Sequence, residues 1–117
     1  MPNDWPRPVV YFEIRGTDQQ SLKRFYSEMF TWDIGEGPIA SVPAGLGAPE
    51  NGIGGHIRQA DSPGVSLFIQ VRDLEASMSQ AVELGGTITM GRFDIPGGAS
   101  IAGITDPEGT AITLVQQ

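Results

Sequence analysis

The chain has 117 residues, which suffices for one domain with a hydrophobic core, and 39% hydrophobic against 18% charged residues is a globular composition. Cysteine is absent, so disulfides, thiolate nucleophiles and cysteine-based zinc sites are excluded. A net charge of −7 argues against nucleic acid as a partner, and the lack of a long apolar run or a signal-peptide pattern predicts a cytoplasmic protein without a membrane partner.

The first half is predicted to begin with a strand at about 8–14, followed by a helix from Asp18 to Phe30. Apolar residues recur along this helix at i, i+3, i+4, i+7 and i+8, which is typical of a helix with one apolar face. The Asp18 carboxylate can accept from the free N–H groups of the first turn. Short or irregular strands are expected near 38–42 and 53–58, because residues 35–64 are rich in Gly and Pro.

The second half is predicted to follow the same plan. A strand at 65–71 precedes a helix over 74–84, which Asp73 caps and Gly85 and Gly86 end. Further strands are expected at about 86–90, 100–105 and 110–115. The sequence Asp-Pro-Glu-Gly at 106–109 predicts a tight turn that joins the last two strands as a hairpin.

The two halves form a weak internal repeat with an offset of 55 residues. Tyr11 in the first strand corresponds to Ser66, and the capping Asp18 corresponds to Asp73. A repeat of this length indicates a duplicated module.

Three stretches of the sequence resemble the vicinal-oxygen-chelate superfamily, the glyoxalase/bleomycin-resistance/extradiol-dioxygenase group. They are residues 10–32, 71–86 and 104–114, and one departure is Thr31, where relatives commonly carry Gly. The resemblance implies an α+β fold in which two βαβββ modules curl half-barrel sheets around a cleft, with the helices outside. We expect a single domain over 1–117, with module one at about 7–62 and module two at about 63–117.

Alternation along the strands predicts which side chains face the cleft. Those expected to pack beneath the helices are Val10, Phe12, Ile14, Leu67, Ile69, Val71, Ile112 and Leu114. Those expected to face inward are Tyr11, Glu13, Ser66, Phe68, Gln70, Ala111, Thr113 and Val115.

The resemblance also implies four positions for metal ligands. Three of them hold Tyr11, Ser66 and Thr113, and the fourth falls near 54–56. Hydroxyl side chains bind a hard divalent cation poorly at neutral pH, because their pKa values are too high to supply an anion. No metal cofactor is therefore expected.

Glu13 and His56 are the candidate catalytic residues. A carboxylate on the inward face of a strand is costly unless it is paired, hydrated or used, and the alternative to a functional role is pairing with Arg15, Arg58 or Arg92. His56, the one histidine, could move a proton near pH 7 or be an exposed residue at a strand end.

The candidate ligand-binding residues combine aromatic and polar side chains. Ordinary packing is the alternative for Trp32 and Phe93, and a solvated charge is the alternative for Arg92, which is expected in a loop before a turn at 95–98. The complete set is Tyr11, Trp32, Ser66, Phe68, Gln70, Arg92, Phe93 and Thr113.

Three functions remain open. The first is a metal-independent protein that binds a small organic molecule, with the acidic composition favouring a cationic or neutral aromatic ligand. The second is a lyase, isomerase or dioxygenase of the same superfamily, with Glu13 or His56 as general base. The third is a non-catalytic partner domain. The resemblance implies a homodimer.

Overall fold

The computed structural model describes residues 5–45 and 52–117 and has an α+β fold. The elements of the described residues are β1 (Val9–Gly16), α1 (Gln19–Phe30), β2 (Ile39–Val42), β3 (Gly54–Gln59), β4 (Gly64–Gln70), α2 (Leu74–Glu83), β5 (Thr87–Asp94), β6 (Ser100–Thr105) and β7 (Ala111–Gln116). This order confirms the predicted fold class and each predicted helix and strand, with shifts of at most two residues at the ends except in β5, which extends beyond its predicted end. Neither helix is long and apolar enough to cross a membrane.

The chain divides into two compact units, one of which comprises residues 11–66. In this unit β3 pairs in parallel with β1 and antiparallel with β2. Phe12 and Ile14 of β1, which were predicted to pack beneath the helix, lie under α1 in one cluster with Val42, Ile57, Leu22, Tyr26, Trp32 and Ile34. Among the described residues of this unit, two strands, β2 and β3, follow α1. The backbone N–H of Gly35, which precedes β2, donates to the carbonyl oxygen of Ser41 at 2.9 Å.

Both ends of α1 have local causes. The side chain of Asp18 accepts from the backbone N–H of Ser21 at 3.1 Å, as expected of an N-cap. Thr31 ends the helix with φ of 60°, and it is the one non-glycine residue with positive φ among the described residues. Glycine adopts this conformation without strain, so a glycine at position 31 would suit the end of the helix better than Thr31 does.

The apolar face of α1 is only partly buried. Leu22 and Tyr26 join the cluster, whereas Phe25, Met29 and Phe30 of the same predicted face are exposed. The helical period was therefore right, but it did not indicate how much of the face packs within the chain.

The second unit comprises residues 67–117 with the segment up to Val10. Its sheet has the order β4-β7-β6-β5, with β4 parallel to β7 and the other pairs antiparallel. Asp73 caps α2 by accepting from Ala76 N at 3.0 Å, and Gly85 follows the helix with φ of 100°. The core under α2 consists of Val71, Leu74, Met78, Ala102 and Leu114, with Ile104 and Ile112 packed against it.

The predicted hairpin is confirmed, with β6 antiparallel to β7. Gly109, at φ of 91°, donates its N–H to Asp106 O at 3.0 Å. The Asp106 carboxylate accepts from the backbone N–H groups of Glu108 and Thr110. The turn between β5 and β6 was also expected, and Gly98 N donates there to Ile95 O.

Two local expectations were wrong. Leu67, expected to pack, is 43% exposed and does not belong to the core under α2. Arg92 and Phe93, expected in a loop, belong to β5. The register of β5 against β6 shifts at two places, so side chains do not alternate regularly between the two faces along β5. A search for alternating apolar and polar residues therefore could not predict that β5 continues to Asp94.

Candidate functional site

A polar cluster covers the face of β1 and β3 that is opposite α1. Alternation places Tyr11, Glu13 and Arg15 on this face of β1. The parallel register brings Glu13 opposite His56 and Arg15 opposite Arg58. All five residues belong to the compact unit of residues 11–66, and we call them, together with Ser66, the polar cluster.

Glu13 is the centre of the polar cluster. Its Oε1 accepts from Nε2 of His56 at 2.9 Å and from Nε of Arg58 at 2.6 Å, and its Oε2 accepts from Nη1 of Arg15 at 2.8 Å. Burial by itself would raise the pKa of this carboxyl, but the hydrogen bonds from His56, Arg58 and Arg15 and the charge of Arg58 lower the pKa to about 2. Glu13 is therefore ionised at neutral pH.

His56 connects Glu13 to Tyr11. Because an ionised carboxylate can only accept, Nε2 of His56 carries a proton towards Glu13. In the neutral imidazole, Nδ1 then accepts from the Tyr11 hydroxyl at 2.8 Å. Burial, followed by the negative charge of Glu13, raises the pKa of the Tyr11 phenol, so Tyr11 keeps the proton that it donates.

Arg15 joins Glu13 to Ser66. Its Nη1 donates to both the Glu13 carboxylate and the hydroxyl of Ser66, which is buried. Gly64 lies close to this side chain, since a Cβ added there would come within 2.5 Å of Nη2 of Arg15. The absence of a side chain at Gly64 thus leaves room for the guanidinium group.

The cluster also locates the fourth of the implied metal-ligand positions. Glu13 pairs with His56 in β3, and Phe68, which lies 55 positions after Glu13, pairs with Thr113 in β7. His56 therefore occupies in the first module the position that Thr113 occupies in the second.

The residues at the four positions do not fit a divalent metal. Tyr11, Ser66 and Thr113 offer hydroxyl groups, and both ring nitrogens of His56 are engaged by Tyr11 and Glu13. Within residues 5–45 and 52–117, no group of three or more His, Asp or Glu side chains is arranged to hold a metal ion.

The other predicted site residues are not members of the polar cluster. Phe68, Gln70 and Thr113 belong to the second unit, where Phe68 and Thr113 pair across β4 and β7. Trp32 lies in the apolar cluster under α1 and stacks on Tyr26, with ring centroids 5.3 Å apart.

Arg92 and Phe93 lie in β5 with exposed side chains. The Arg92 guanidinium contacts Asp94 at 2.9 Å, Ser100 at 3.1 Å and Glu75 at 3.7 Å. Hydrogen bonding and attraction to Asp94 raise the pKa of Arg92. Of the three arginines considered as partners of Glu13, Arg15 and Arg58 are the ones that bind it.

Sequence reasoning treated Arg15 and Arg58 only as partners of Glu13 and not as site residues. A signal was present, since each follows a candidate catalytic residue by two positions and so shares its strand face. The register of β1 against β3, which the sequence does not state, brings the two pairs together.

Comparison with known proteins gives a consistent family match. A family model described as a glyoxalase-like domain matches residues 11–115. The protein CFP32 of Mycobacterium bovis, whose name includes the word glyoxylase, is 31% identical over 124 aligned residues, which cover 91% of this chain and 44% of that protein. The chain thus spans less than half the length of this curated relative.

Solved structures match the fold at low identity. A glyoxalase/bleomycin resistance protein/dioxygenase superfamily member from Vibrio splendidus has a TM-score of 0.68 and 14% identity, covering 96% of this chain and 100% of that one. The Mn(II)-bound glyoxalase from Novosphingobium aromaticivorans has a TM-score of 0.67 and 19% identity, covering 95% of this chain and 40% of that one.

Proposed function

The chain belongs to the glyoxalase-like domain family, and on that premise we propose that it binds a small organic molecule at the polar cluster without a divalent metal. One observation carries this proposal: both ring nitrogens of His56 are held in hydrogen bonds, with Tyr11 and with Glu13. A metal ion would have to displace one of these bonds. Within the same compact unit it would gain only the neutral hydroxyls of Tyr11 and Ser66, which hold two of the other implied positions.

The charge of the polar cluster supports the same proposal. Glu13 is the one carboxylate there, and two guanidinium groups and an imidazole N–H already surround it. A cation brought to Glu13 would be repelled by Arg15 and Arg58 at short range. Recognition by hydrogen bonds and shape is therefore more favourable here than coordination.

Metal titration tests this proposal. We expect less than one equivalent of metal per chain in the purified protein and no rise in melting temperature with Mn²⁺, Zn²⁺ or Ni²⁺. A real site at 100 times its dissociation constant would add about 2.7 kcal/mol of stability. The Novosphingobium glyoxalase serves as the positive control, and a stoichiometric metal that stabilises this chain by that amount would contradict the proposal.

A metal-free enzyme is the second candidate, and the hydrogen-bonded series Tyr11–His56–Glu13 favours it. A carboxylate that orients an imidazole, which accepts from a hydroxyl, is an arrangement that enzymes use for proton transfer. With a pKa of about 2, Glu13 is a weak base at neutral pH, and its role would be to orient His56.

Proton exchange tests this candidate. If His56 and Tyr11 move protons next to a carbonyl, the protein accelerates deuterium incorporation into dihydroxyacetone in D₂O, as followed by proton NMR, and both Tyr11→Phe and His56→Gln remove the acceleration. Ser27→Ala on α1, outside the polar cluster, is the control. Equal exchange with and without the protein would remove this candidate for that substrate class.

A homodimer, which the family resemblance implies, and a cytoplasmic location, which the sequence patterns predicted, also belong to the proposal. The exposed Phe25, Met29 and Phe30 of α1 support a dimer, because apolar side chains grouped on one helix favour association.

A further inference from the structure

Two arginines of the polar cluster share one carboxylate. Arg15 and Arg58 lie directly opposite each other in the register of β1 and β3. Like charges in this position repel and destabilise a sheet. Among the described residues, the carboxylate that contacts either guanidinium is that of Glu13, which contacts both. The three side chains together carry one excess positive charge, in a chain whose net charge is −7.

The arginines form the outer layer of the polar cluster. The side chains of Glu13 and His56 are 11% and 10% exposed, whereas those of Arg15 and Arg58 are 20% and 38% exposed. Glu13 therefore binds the two guanidinium groups on their side that faces the protein interior. Their outer surfaces remain accessible to a molecule that approaches from solvent.

Several guanidinium N–H groups are available for such a molecule. Arg15 bonds Glu13 and Ser66 through Nη1, and Arg58 bonds Glu13 through Nε and the Gln59 carbonyl through Nη1. Within the described residues, Nη2 of each arginine has no protein partner, and no buried side-chain nitrogen is left unsatisfied. These N–H groups consequently reach solvent.

We propose that Arg15 and Arg58 together bind one carboxylate group of the small molecule. This inference rests on the proposed binding function and names the charge of the ligand. Guanidinium groups match carboxylates geometrically and form charge-assisted hydrogen bonds with them. A single carboxylate would also neutralise the excess charge of the cluster. An anionic ligand thereby replaces the cationic or neutral one that the acidic composition suggested, because local charge decides recognition.

A pair of matched probes tests the proposal. Benzoate and benzamide have the same shape, but only benzoate is charged, and inorganic phosphate tests whether another anion is preferred. We expect benzoate to bind at least about tenfold more tightly than benzamide, since hydrogen bonds between charged groups contribute about 1.5–3 kcal/mol. Calorimetry at low salt and shifts of backbone amide signals in NMR spectra measure the affinities.

Variants localise the effect. Arg15→Gln and Arg58→Gln should each weaken benzoate binding about tenfold or more. Gly64→Ala should weaken it as well, because the added Cβ displaces the Arg15 guanidinium. Arg24→Gln removes an exposed arginine of α1 that pairs with Glu28, and it should leave binding unchanged.

The outcomes separate this inference from the proposed function. Equal binding of benzamide and benzoate would overturn the carboxylate site while supporting a metal-free binder. Tighter binding of phosphate than of benzoate would overturn the choice of a carboxylate. Absence of benzoate binding would overturn the inference, whereas the metal titration tests the proposed function independently. Should Arg15→Gln fail to fold, the comparison of benzoate with benzamide on the unaltered protein still tests whether the site prefers a carboxylate.

Discussion

Glu13→Gln is expected to lower the free energy of unfolding by about 3 kcal/mol or more, because the buried carboxylate accepts three hydrogen bonds that a neutral amide cannot all accept, and hydrogen bonds to charged groups contribute about 1.5–3 kcal/mol each. The amide would keep one oxygen for His56 and Arg58. Its NH₂ group would then face Nη1 of Arg15, and because both groups are donors, no hydrogen bond would form between them. Since domains are stabilised by only about 5–15 kcal/mol, this change would remove a large part of the total.

Urea unfolding at pH 7 measures the effect. Glu28→Gln is the matched control, because Glu28 also pairs with an arginine, Arg24, but on the exposed surface of α1. Exposed pairs of this kind contribute at most about 1 kcal/mol. Similar losses in the two variants would mean that Glu13 is no more important to the fold than a surface carboxylate, and the hydrogen bonds described above would not hold the polar cluster together.

Local sequence patterns predicted the elements of this fold well. The capping residues Asp18 and Asp73 and the turn ending at Gly109 each act through contacts within a few positions along the chain. All the residues that such a cap or turn requires are therefore visible in one short stretch of the sequence. Period-2 alternation likewise placed Tyr11 and Glu13 on one face, because it depends only on the backbone of β1.

The partners of Glu13 could not be predicted in the same way. Arg58 and His56 lie more than 40 positions away, and they reach Glu13 only through the parallel register of β1 and β3. The sequence between these strands is rich in Gly and Pro and fixes no register by pattern. Three possible arginine partners therefore remained until the structure selected Arg15 and Arg58 over Arg92.

Burial was the second property that patterns did not decide. The apolar periodicity of α1 is real, yet Phe25 and Met29 are exposed while Leu22 packs. Periodicity reports which residues share a face, and what covers that face depends on the remainder of the fold. Leu67 on β4 is exposed for the same reason.

Acid is expected to destabilise the protein through Glu13 between about pH 4.5 and pH 2. The folded-state pKa of Glu13 is about 2, against 4.5 for an unperturbed glutamate. In this range the unfolded chain binds a proton that the folded chain does not, so the free energy of unfolding falls as the pH falls. At 1.36 kcal/mol per pKa unit the contribution is up to about 3 kcal/mol, fully present above pH 4.5 and lost near pH 2.

Comparison of the unaltered protein with Glu13→Gln isolates this contribution. The lowered pKa values of Asp18 and Asp94 act equally in both proteins and cancel in the difference. Urea unfolding at intervals from pH 6 to pH 2 should therefore give two curves that are separated at pH 6 and converge towards pH 2. Parallel curves would mean that Glu13 titrates normally, and the three donors around it would then not hold its charge in the folded protein.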